Sequence, residues 1–249
     1  MLEPIRALVL DRRRYMPRLG ARKLYFLLKP KLEQLEIKIG RDGLFDYLRE
    51  QNLLIKPKRS YTKTTYSKHW MKKHPNLLTD LEVKRPEQVF VSDITYVESD
   101  EGVHYLSLVT DACSRKIMGH ELSYEMKAND TVKALEQAVT NRQSELPLLH
   151  HSDRGSQYCS ALYQGVLNKN KIRPSMTDGY DCYQNALAER INGILKQEFL
   201  IYRCTTFEDL QVLVKESIDV YNRLRPHLSL AMKTPNEVHK KASCNMQLA

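Results

Sequence analysis

Apolar residues near the amino-terminal end recur at the three- and four-residue spacing of helices. The first pattern, between positions 19 and 35, is formed by Leu24, Leu27, Leu28, Leu32 and Leu35. Pro30 is expected to limit or kink that helix. After Gly40 a second helical pattern is formed by Leu44, Tyr47, Leu48 and Leu54. Two short helices with basic residues between them predict a small region resembling a helix-turn-helix, although many such helix pairs bind no DNA.

From about Arg85 the chain alternates between strand and helix patterns, which predicts a mixed α/β domain around one sheet. Three stretches rich in β-forming residues predict a meander: "QVFVSDITYV", "VHYLSLVTD" and "KIMGHELS". The helix "NDTVKALEQAVTNRQ" follows, with Asn129 or Asp130 as its expected N-cap. Then come the strand "LPLLHHSD", a helix from Ser156 to about Asn168, the strand "IRPSM" and a helix over about 183–199.

The last helical pattern is "TTFEDLQVLVKESIDVYN", in which we expect Thr205 and Glu208 to form a capping box. One apolar face runs along it, formed by Phe207, Leu210, Val214, Ile218 and Tyr221.

The charge is distributed unevenly along the 249 residues, whose net charge is +9. Residues 1–75 hold 19 Lys and Arg against 7 Asp and Glu, or +12, whereas the remainder holds 20 against 23, or −3. A basic arm on a nearly neutral body indicates a polyanionic partner, with nucleic acid first, and an ordinary solvated surface is the alternative.

Residues 56–73, "KPKRSYTKTTYSKHWMKK", contain seven basic residues and no acidic one, with Tyr61, Tyr66 and Trp70 interleaved. This composition favours contact with DNA phosphates and stacked bases over an idle linker. The predicted DNA-binding residues are Lys56, Lys58, Arg59, Lys63, Lys68, Lys72 and Lys73, together with Lys196 on a later helix.

The composition argues against other classes of protein. Hydrophobic residues make up 42% of the chain and the mean hydropathy is −0.52, which is typical of a soluble globular protein. The apolar start "IRALVL" is interrupted by Arg6 and fits neither a signal peptide nor a membrane span. Five scattered cysteines without a CxxC pair indicate a reduced, cytoplasmic setting and no zinc module.

Two aspartates occupy positions that raise the question of function. Asp93 lies in a predicted strand with largely apolar neighbours on both faces, where an uncompensated carboxylate is costly. Asp153 ends another strand beside a turn, where open α/β sheets bind their ligands. Each has a structural alternative, because Asp153 could cap the next helix and Asp93 could pair with a lysine.

Glu189 adds a third carboxylate. Its predicted helix buries Leu187, Ile191, Ile194 and Leu195. The positions i, i+4, i+7 and i+11 form one polar stripe of Asn185, Glu189, Asn192 and Lys196. Three hard oxygen ligands without a cysteine set suit Mg²⁺ or Mn²⁺ rather than zinc. Two such ions can promote in-line displacement at phosphorus, and neither a Ser/His/Asp constellation nor a Walker A loop competes with that interpretation.

These residues resemble a known family. Asp93 in "VSDITYV", Asp153 in "HSDRGSQY" and Glu189 in "CYQNALAERINGILKQE" resemble the DDE signature, with thirty-five residues between Asp153 and Glu189. The chain is similar to the OrfB-type transposases of bacterial insertion sequences, whose core is similar to retroviral integrase. The tail "YNRLRPHLSLAMKTP" extends the likeness over roughly residues 20–238. Phe90 and Gln184 depart from the family, which commonly has Trp and Asp there, and His69 and His74 lack the cysteine pair of the retroviral zinc module.

The resemblance implies an RNase H-like fold with Asp93, Asp153 and Glu189 as catalytic metal ligands for two Mg²⁺ or Mn²⁺ ions. His151 and Asn185 are expected beside them, with a purely structural role open for His151. The implied domains are a helical region 1–55, a basic linker 56–84, an integrase-like core 85–202 and a C-terminal helix and tail 203–249.

The implied activity is metal-dependent DNA cleavage and strand transfer in bacterial cytoplasm, at the nucleoid and without a membrane partner. The expected partners are the DNA ends of the element, target DNA and further copies of the chain. In similar elements an upstream frame supplies a helix-turn-helix as a fusion, and action alone or as such a fusion stays open. The alternatives are an RNase H-like nuclease that only hydrolyses and a domesticated DNA-binding protein.

Overall fold

The structure is a computed structural model that describes residues 3–55, 69–79, 81–178 and 185–246. Its strands are β1 (Val89–Ser99), β2 (Gly102–Asp111), β3 (Ile117–Ser123), β4 (Leu149–Ser152) and β5 (Arg173–Met176). The helices before and between the strands are α1 (Glu3–Tyr15), α2 (Ala21–Gln34), α3 (Arg41–Glu50), α4 (Ala128–Thr140), α5 (Ser156–Cys159) and α6 (Ala161–Lys169). Those after the last strand are α7 (Ala186–Ile194), which continues into a π-helical turn (Leu195–Phe199), α8 (Phe207–Leu224), a 3₁₀ turn (Leu228–Leu230) and α9 (Pro235–Met246).

The strands form one mixed sheet in the order β3-β2-β1-β4-β5. β1, β2 and β3 are antiparallel neighbours, which confirms the predicted meander. β4 pairs in parallel with β1, and β5 pairs in parallel with β4, because helices cross over between those strands. The predicted mixed α/β sheet with flanking helices is therefore confirmed.

The register between β1 and β4 fixes the relative positions of the two aspartates. Val91 pairs with His151, so the same register continued by two residues sets Asp93 opposite Asp153. Because side chains alternate between the faces of a sheet, all four of these side chains belong to one face. β4 ends at Ser152, which makes Asp153 the first residue beyond the strand.

The amino-terminal helices share a hydrophobic core with the helices that follow the sheet. Leu24 and Leu48 of this region belong to the same buried cluster as Leu195, Leu210 and Val214. The predicted apolar face of α8 is buried along its whole length. The division of the chain into four regions stays a prediction.

A charged contact reinforces this packing at the π-helical turn. Glu198 accepts two hydrogen bonds from the buried guanidinium of Arg225, at 2.7 and 2.8 Å, and one from Lys23 of α2 at 3.4 Å. The helix that carries Glu189 is thus tied at its far end to both terminal regions of the described chain.

Three helix boundaries differ from the sequence prediction. The N-cap of α4 is Lys127, and Asp130 lies in the first turn, where it pairs with Lys133 instead of capping. The helix predicted from Ser156 is broken at Ser160, whose extended backbone starts α6 and whose hydroxyl accepts a hydrogen bond from the Tyr163 amide.

The third difference is at the start of α8, where the expected capping box of Thr205 and Glu208 is wrong by one residue. Thr206 is the N-cap, and its hydroxyl accepts from the Asp209 amide at 3.1 Å. The amide of Phe207 donates to Glu101, and burial of the Phe207 ring fixes the first residue of the helix.

Two further differences concern α1, which was not predicted, and α2, which is longer than Pro30 suggested. α1 includes the apolar start of the chain, for which no helix was predicted, and it buries Ile5 and Val9. α2 continues past Pro30 to Gln34.

Among the described residues, Cys113, Cys159 and Cys204 are free. None of the described helices has the length and apolar content that a membrane crossing requires.

Candidate active site

Asp93 lies in the middle of β1 and its carboxylate is poorly compensated. Its Oδ2 accepts a hydrogen bond of 2.7 Å from the Asn192 amide. Burial raises the pKa of Asp93 to about 8, the negative charges of Asp153 and Glu189 add to this, and the Ile94 amide and Asn192 oppose it. A carboxylate that is surrounded by like charges in a sparsely solvated place is a candidate functional group.

Asp153 follows β4 and is half-buried. Its Oδ1 accepts a hydrogen bond of 2.9 Å from the Gly155 amide. A Cβ atom at position 155 would lie 3.0 Å from that oxygen and 3.2 Å from Oε1 of Gln157, so glycine allows the turn to close around the carboxylate. Asp153 therefore stabilises the turn before α5, and its charge acts on Asp93 and Glu189, whereas its role as a metal ligand stays a prediction.

Glu189 is exposed on the first turn of α7. Partial burial of its carboxyl group and the charge of Asp153 raise the pKa of Glu189. The two aspartates and Glu189 thus influence one another electrostatically, although they are far apart in the sequence.

Three members of the polar stripe, Asn185, Asn192 and Lys196, contact β1, whereas Glu189 is exposed. The amide of Asn185 donates to the carbonyl of Ser92 at 3.1 Å, beside Asp93. Lys196 donates to Thr95 at 3.4 Å, and its Nζ lies 3.9 Å from the centre of the Tyr96 ring. These contacts position the helix that carries Glu189 against the strand that carries Asp93.

Three buried polar atoms near the carboxylates have no hydrogen-bond partner within the described part of the chain. They are Oδ1 of Asn185, Oδ1 of Asn192 and the hydroxyl of Tyr158. Burial, then Tyr163, Asp93 and Asp153, raise the pKa of Tyr158 well above its ordinary value. Unpaired buried polar groups are rare in folded proteins, and here they accompany uncompensated charge.

Two histidines lie behind the aspartates. Nδ1 of His151 is 2.9 Å from the Ser175 hydroxyl, so the expected companion of the site is buried and oriented by β5. Nε2 of His150 lies 2.7 Å from the Ser92 hydroxyl and 2.8 Å from the Tyr163 hydroxyl. Burial and the neighbouring His151 lower the pKa of His150 to about 3, so it is neutral.

Five of the predicted DNA-binding residues lie outside the described residues: Lys56, Lys58, Arg59, Lys63 and Lys68. Tyr61, Tyr66 and Gln184 also lie outside them. Lys72 and Lys73 are exposed, and Lys73 donates to the His69 carbonyl. Lys196 is half-buried against Tyr96. These assignments stay predictions.

The donor chemistry of the site suits a divalent cation. Carboxylate oxygens are the ligands that Mg²⁺ and Mn²⁺ prefer, and a cation would relieve the repulsion that raises the pKa of Asp93. No three His, Cys, Asp or Glu side chains among the described residues already form a closed cation site.

Two residues at this site were not among the predicted site residues, although Asn192 belongs to the predicted polar stripe. Asn192 contacts Asp93 directly, and its signal was its position three residues after Glu189 on the same helical face. Tyr158 lies five residues after Asp153 and gave no comparable signal, because a tyrosine in a short helix is usually part of the core.

Comparisons with known proteins agree with this geometry. Residues 83–182 match a family model described as "Integrase core domain", and residues 170–235 match a second model with the same description. The "Insertion element IS600 uncharacterized 31 kDa protein" of Shigella sonnei is 35% identical over 217 residues, which cover 86% of this chain and 80% of that protein. "Transposase InsF for insertion sequence IS3A" of Escherichia coli (strain K12) is 34% identical over 204 residues, covering 78% of this chain and 68% of that protein.

Solved structures show the same fold. The catalytic core domain of HTLV-2 integrase, in complex with magnesium, is 21% identical with a TM-score of 0.51, covering 62% of this chain and 97% of that one. The simian T-cell lymphotropic virus intasome, in complex with PP2A regulatory subunit B56 gamma, is 18% identical with a TM-score of 0.56, covering 89% of this chain and 70% of that one.

The sheet order and the match to the integrase core model define an enzyme with an RNase H-like integrase core. The chain belongs to the DDE transposases of bacterial insertion sequences. The predicted family, fold class and enzyme class are confirmed.

Proposed function

We propose that Asp93, Asp153 and Glu189 are the carboxylates with which this transposase cuts DNA and transfers the cut strand. The observation that carries the proposal is the position of Asp93 in β1 near Asp153 and Glu189, where burial first, and then the charges of these two groups, raise the pKa of Asp93 to about 8. A cation-dependent phosphoryl-transfer site requires carboxylates whose negative charge the protein itself does not compensate.

Two displacements at phosphorus make up the reaction. In the first, a water oxygen forms a bond to the phosphorus of one phosphodiester, and the 3′ oxygen leaves as a hydroxyl. In the second, that hydroxyl forms a bond to phosphorus in another DNA site, and the 3′ oxygen of that site leaves. Each step exchanges one P–O bond for another, so the protein needs no nucleophile of its own.

The residues would hold Mg²⁺ or Mn²⁺, and we propose two ions. When bound, such a pair supplies activation of the attacking oxygen and charge stabilisation of the leaving oxygen. Asp93 and Asp153 face the same side of the sheet and would hold the ions between them, and Glu189 would complete the set from α7. Asn192 orients Asp93 by its 2.7 Å hydrogen bond, Asn185 holds the Ser92 carbonyl beside it, and His151 contacts the Ser175 hydroxyl.

The basic arm and exposed lysines would hold the DNA. We propose that Lys72, Lys73 and Lys196 contact phosphates near the site, together with the five basic residues over 56–68. Copies of the chain would assemble on the two ends of the element in the cytoplasm, where the chromosome is the target. We also propose that the chain acts as a fusion with an upstream frame product. Comparing the purified chain with such a fusion tests this.

A joined product separates strand transfer from the alternatives. The substrate is DNA carrying the ends of the element with a fluorescent label on the transferred strand, incubated with an unlabelled plasmid and Mg²⁺. We expect labelled plasmid as well as cut substrate. Cut substrate without joined product would favour a nuclease, and bound but uncut DNA would favour a DNA-binding protein without catalysis. Fusing the upstream frame product to the chain and repeating the assay tests the need for a partner.

A further inference from the structure

The segment from His69 to Leu77 is fastened to the catalytic face. Nε2 of His69 donates to the carbonyl of Arg154 at 2.8 Å, and Arg154 follows Asp153 directly. The Leu77 amide donates to the Ser175 hydroxyl at 2.9 Å, the same hydroxyl that contacts His151. The end of the basic arm therefore forms one wall of the candidate active site.

Trp70 projects from this wall into solvent. Its residue is 93% exposed, the highest value among the large apolar side chains of the described chain, whereas its neighbours His69 and Met71 are half-buried. Met71 packs against the hydrophobic cluster beneath α4 and α6, which fixes the backbone on either side of the indole. A large aromatic side chain normally gains free energy by burial, so an indole exposed on an anchored segment calls for a partner.

The indole is within reach of the DNA at the site of cleavage. The covalent path through Arg154 and the 2.8 Å hydrogen bond of His69 keep the Cα atoms of Trp70 and Asp153 within about 20 Å of each other. That distance corresponds to about six nucleotides at ~3.4 Å each.

The surrounding charges favour nucleic acid as the occupant. Lys72 and Lys73 are exposed on the same segment, next to the contact between His69 and the Arg154 carbonyl. Bases in a duplex already stack on one another on both faces, whereas an unpaired base offers a free face to an aromatic ring. We infer that Trp70 stacks on an unpaired base of the DNA strand close to the bond that the three carboxylates cleave. This inference rests on the proposed function and adds a substrate feature, local strand separation beside the cut.

Trp70 is the single tryptophan of the chain, so its fluorescence reports this contact directly. The full-length protein is titrated without metal with three probes: a 12-nucleotide oligothymidylate, a blunt duplex of the same length and a duplex with an unpaired 3′ tail. Binding is followed independently by the anisotropy of a label on the DNA. We expect strong quenching of Trp70 by the single strand and the tailed duplex, and weak quenching by the blunt duplex.

Variants turn the fluorescence result into an affinity. Trp70→Ala should weaken binding to the single strand and the tailed duplex by about 5- to 150-fold, the range for loss of one stacked base, with little change for the blunt duplex. Trp70→Phe should restore most of that affinity because it retains an aromatic face. Tyr124→Ala is the matched control, since Tyr124 is also exposed but already stacks on Phe207, and it should bind all three probes like the wild type.

Three results would overturn the inference: equal quenching by the blunt duplex, binding by anisotropy without quenching, or a fluorescence change with protein concentration alone, which would indicate a second copy covering Trp70. The proposed function is tested separately, because it requires that the carboxylate variants lose metal-dependent cleavage. Quenching together with full activity of Asp153→Asn would remove the catalytic proposal and leave the contact with an unpaired base intact.

Discussion

Two carboxylates six residues apart, one just before β1 and one inside it, experience opposite surroundings. Glu87 lies just before β1 and is 2% exposed, and Asp93 lies inside the strand about 20 Å away at ~3.3 Å per residue. Glu87 accepts hydrogen bonds from the amides of Gln143 and Ser144 and from Nε2 of His239. Burial alone would raise the pKa of Glu87, but these donors outweigh it and lower the pKa.

Asp93 has one amide donor from a side chain and two like charges near it, and its pKa rises. The same fold can therefore satisfy a buried carboxylate where the chain needs a fixed contact. At Glu87 that contact holds α9, through His239, against the start of β1. At Asp93 burial and the two like charges outweigh the contacts from the Ile94 amide and Asn192, which supports the proposal that a cation binds there.

Removal of charge from any of the three proposed catalytic carboxylates should abolish activity. Asp93→Asn, Asp153→Asn and Glu189→Gln should each lower metal-dependent DNA cleavage by at least about 10³-fold, equivalent to ~4 kcal/mol, because each removes a ligand charge. Cleavage of labelled DNA under single-turnover conditions measures the loss. Glu136→Gln, an exposed carboxylate on α4, is the matched control and should cleave at the wild-type rate. Near-normal cleavage by one of the three variants would remove that residue from the site.

Removal of the charge of Glu87 should lower the stability of the fold instead. Glu87→Gln leaves His239 and two backbone amides beside a neutral side chain, and the loss of a buried charge partner costs about 3 kcal/mol. At about 2–4 °C per kcal/mol for a chain of this size, the thermal midpoint should fall by roughly 6–12 °C. Calorimetry without metal measures it. An unchanged midpoint would show that this network contributes nothing and would end the contrast with Asp93.

The stability effect of Asp93→Asn should have the opposite sign and depend on pH. Because the pKa of Asp93 is about 8 in the folded protein against 3.8 in the ordinary group, its ionisation costs stability as pH rises from about 4 to 8. Since the residue is partly exposed, we expect the metal-free variant to be more stable by about 1–2 kcal/mol at pH 8 and equal at pH 4. Denaturant titrations at both pH values test this. A variant that is less stable at pH 8 would contradict the pKa assignment.

Added cations should remove this difference. At ten times its dissociation constant, Mg²⁺ or Mn²⁺ should stabilise the wild type by about 1.4 kcal/mol, and Asp153→Asn should gain much less. Ca²⁺ should also stabilise the wild type without supporting cleavage, because its looser coordination does not organise in-line displacement. A thermal shift titration beside a cleavage assay checks both points. Full cleavage in excess chelator would contradict the proposed cation dependence.

The sheet and its carboxylates could be predicted from local patterns. The alternation around Asp93 and the apolar run before Asp153 give strands, and the spacing of Asn185, Glu189 and Asn192 gives a helix face. Each of these signals lies within a few residues of the feature that it predicts. The parallel pairing that brings the aspartates together follows from the order of strands and helices.

The remaining features depend on contacts that cross the chain. His69 meets Arg154 across 85 residues, and His239 meets Glu87 across 152, so no local pattern contains either contact. The start of α8 was missed for a different reason. Thr205 and Thr206 both precede an acidic residue at capping distance, and burial of Phe207 decides between them.

The pairing of Val91 with His151 restricts how this gene can change over time. Because side chains alternate along a strand, inserting or deleting one residue between positions 91 and 93, or between 151 and 153, would turn one aspartate to the opposite face of the sheet. Descendants of this sequence should therefore keep the spacing of two positions from Val91 to Asp93 and from His151 to Asp153, even where the amino acids between them are replaced.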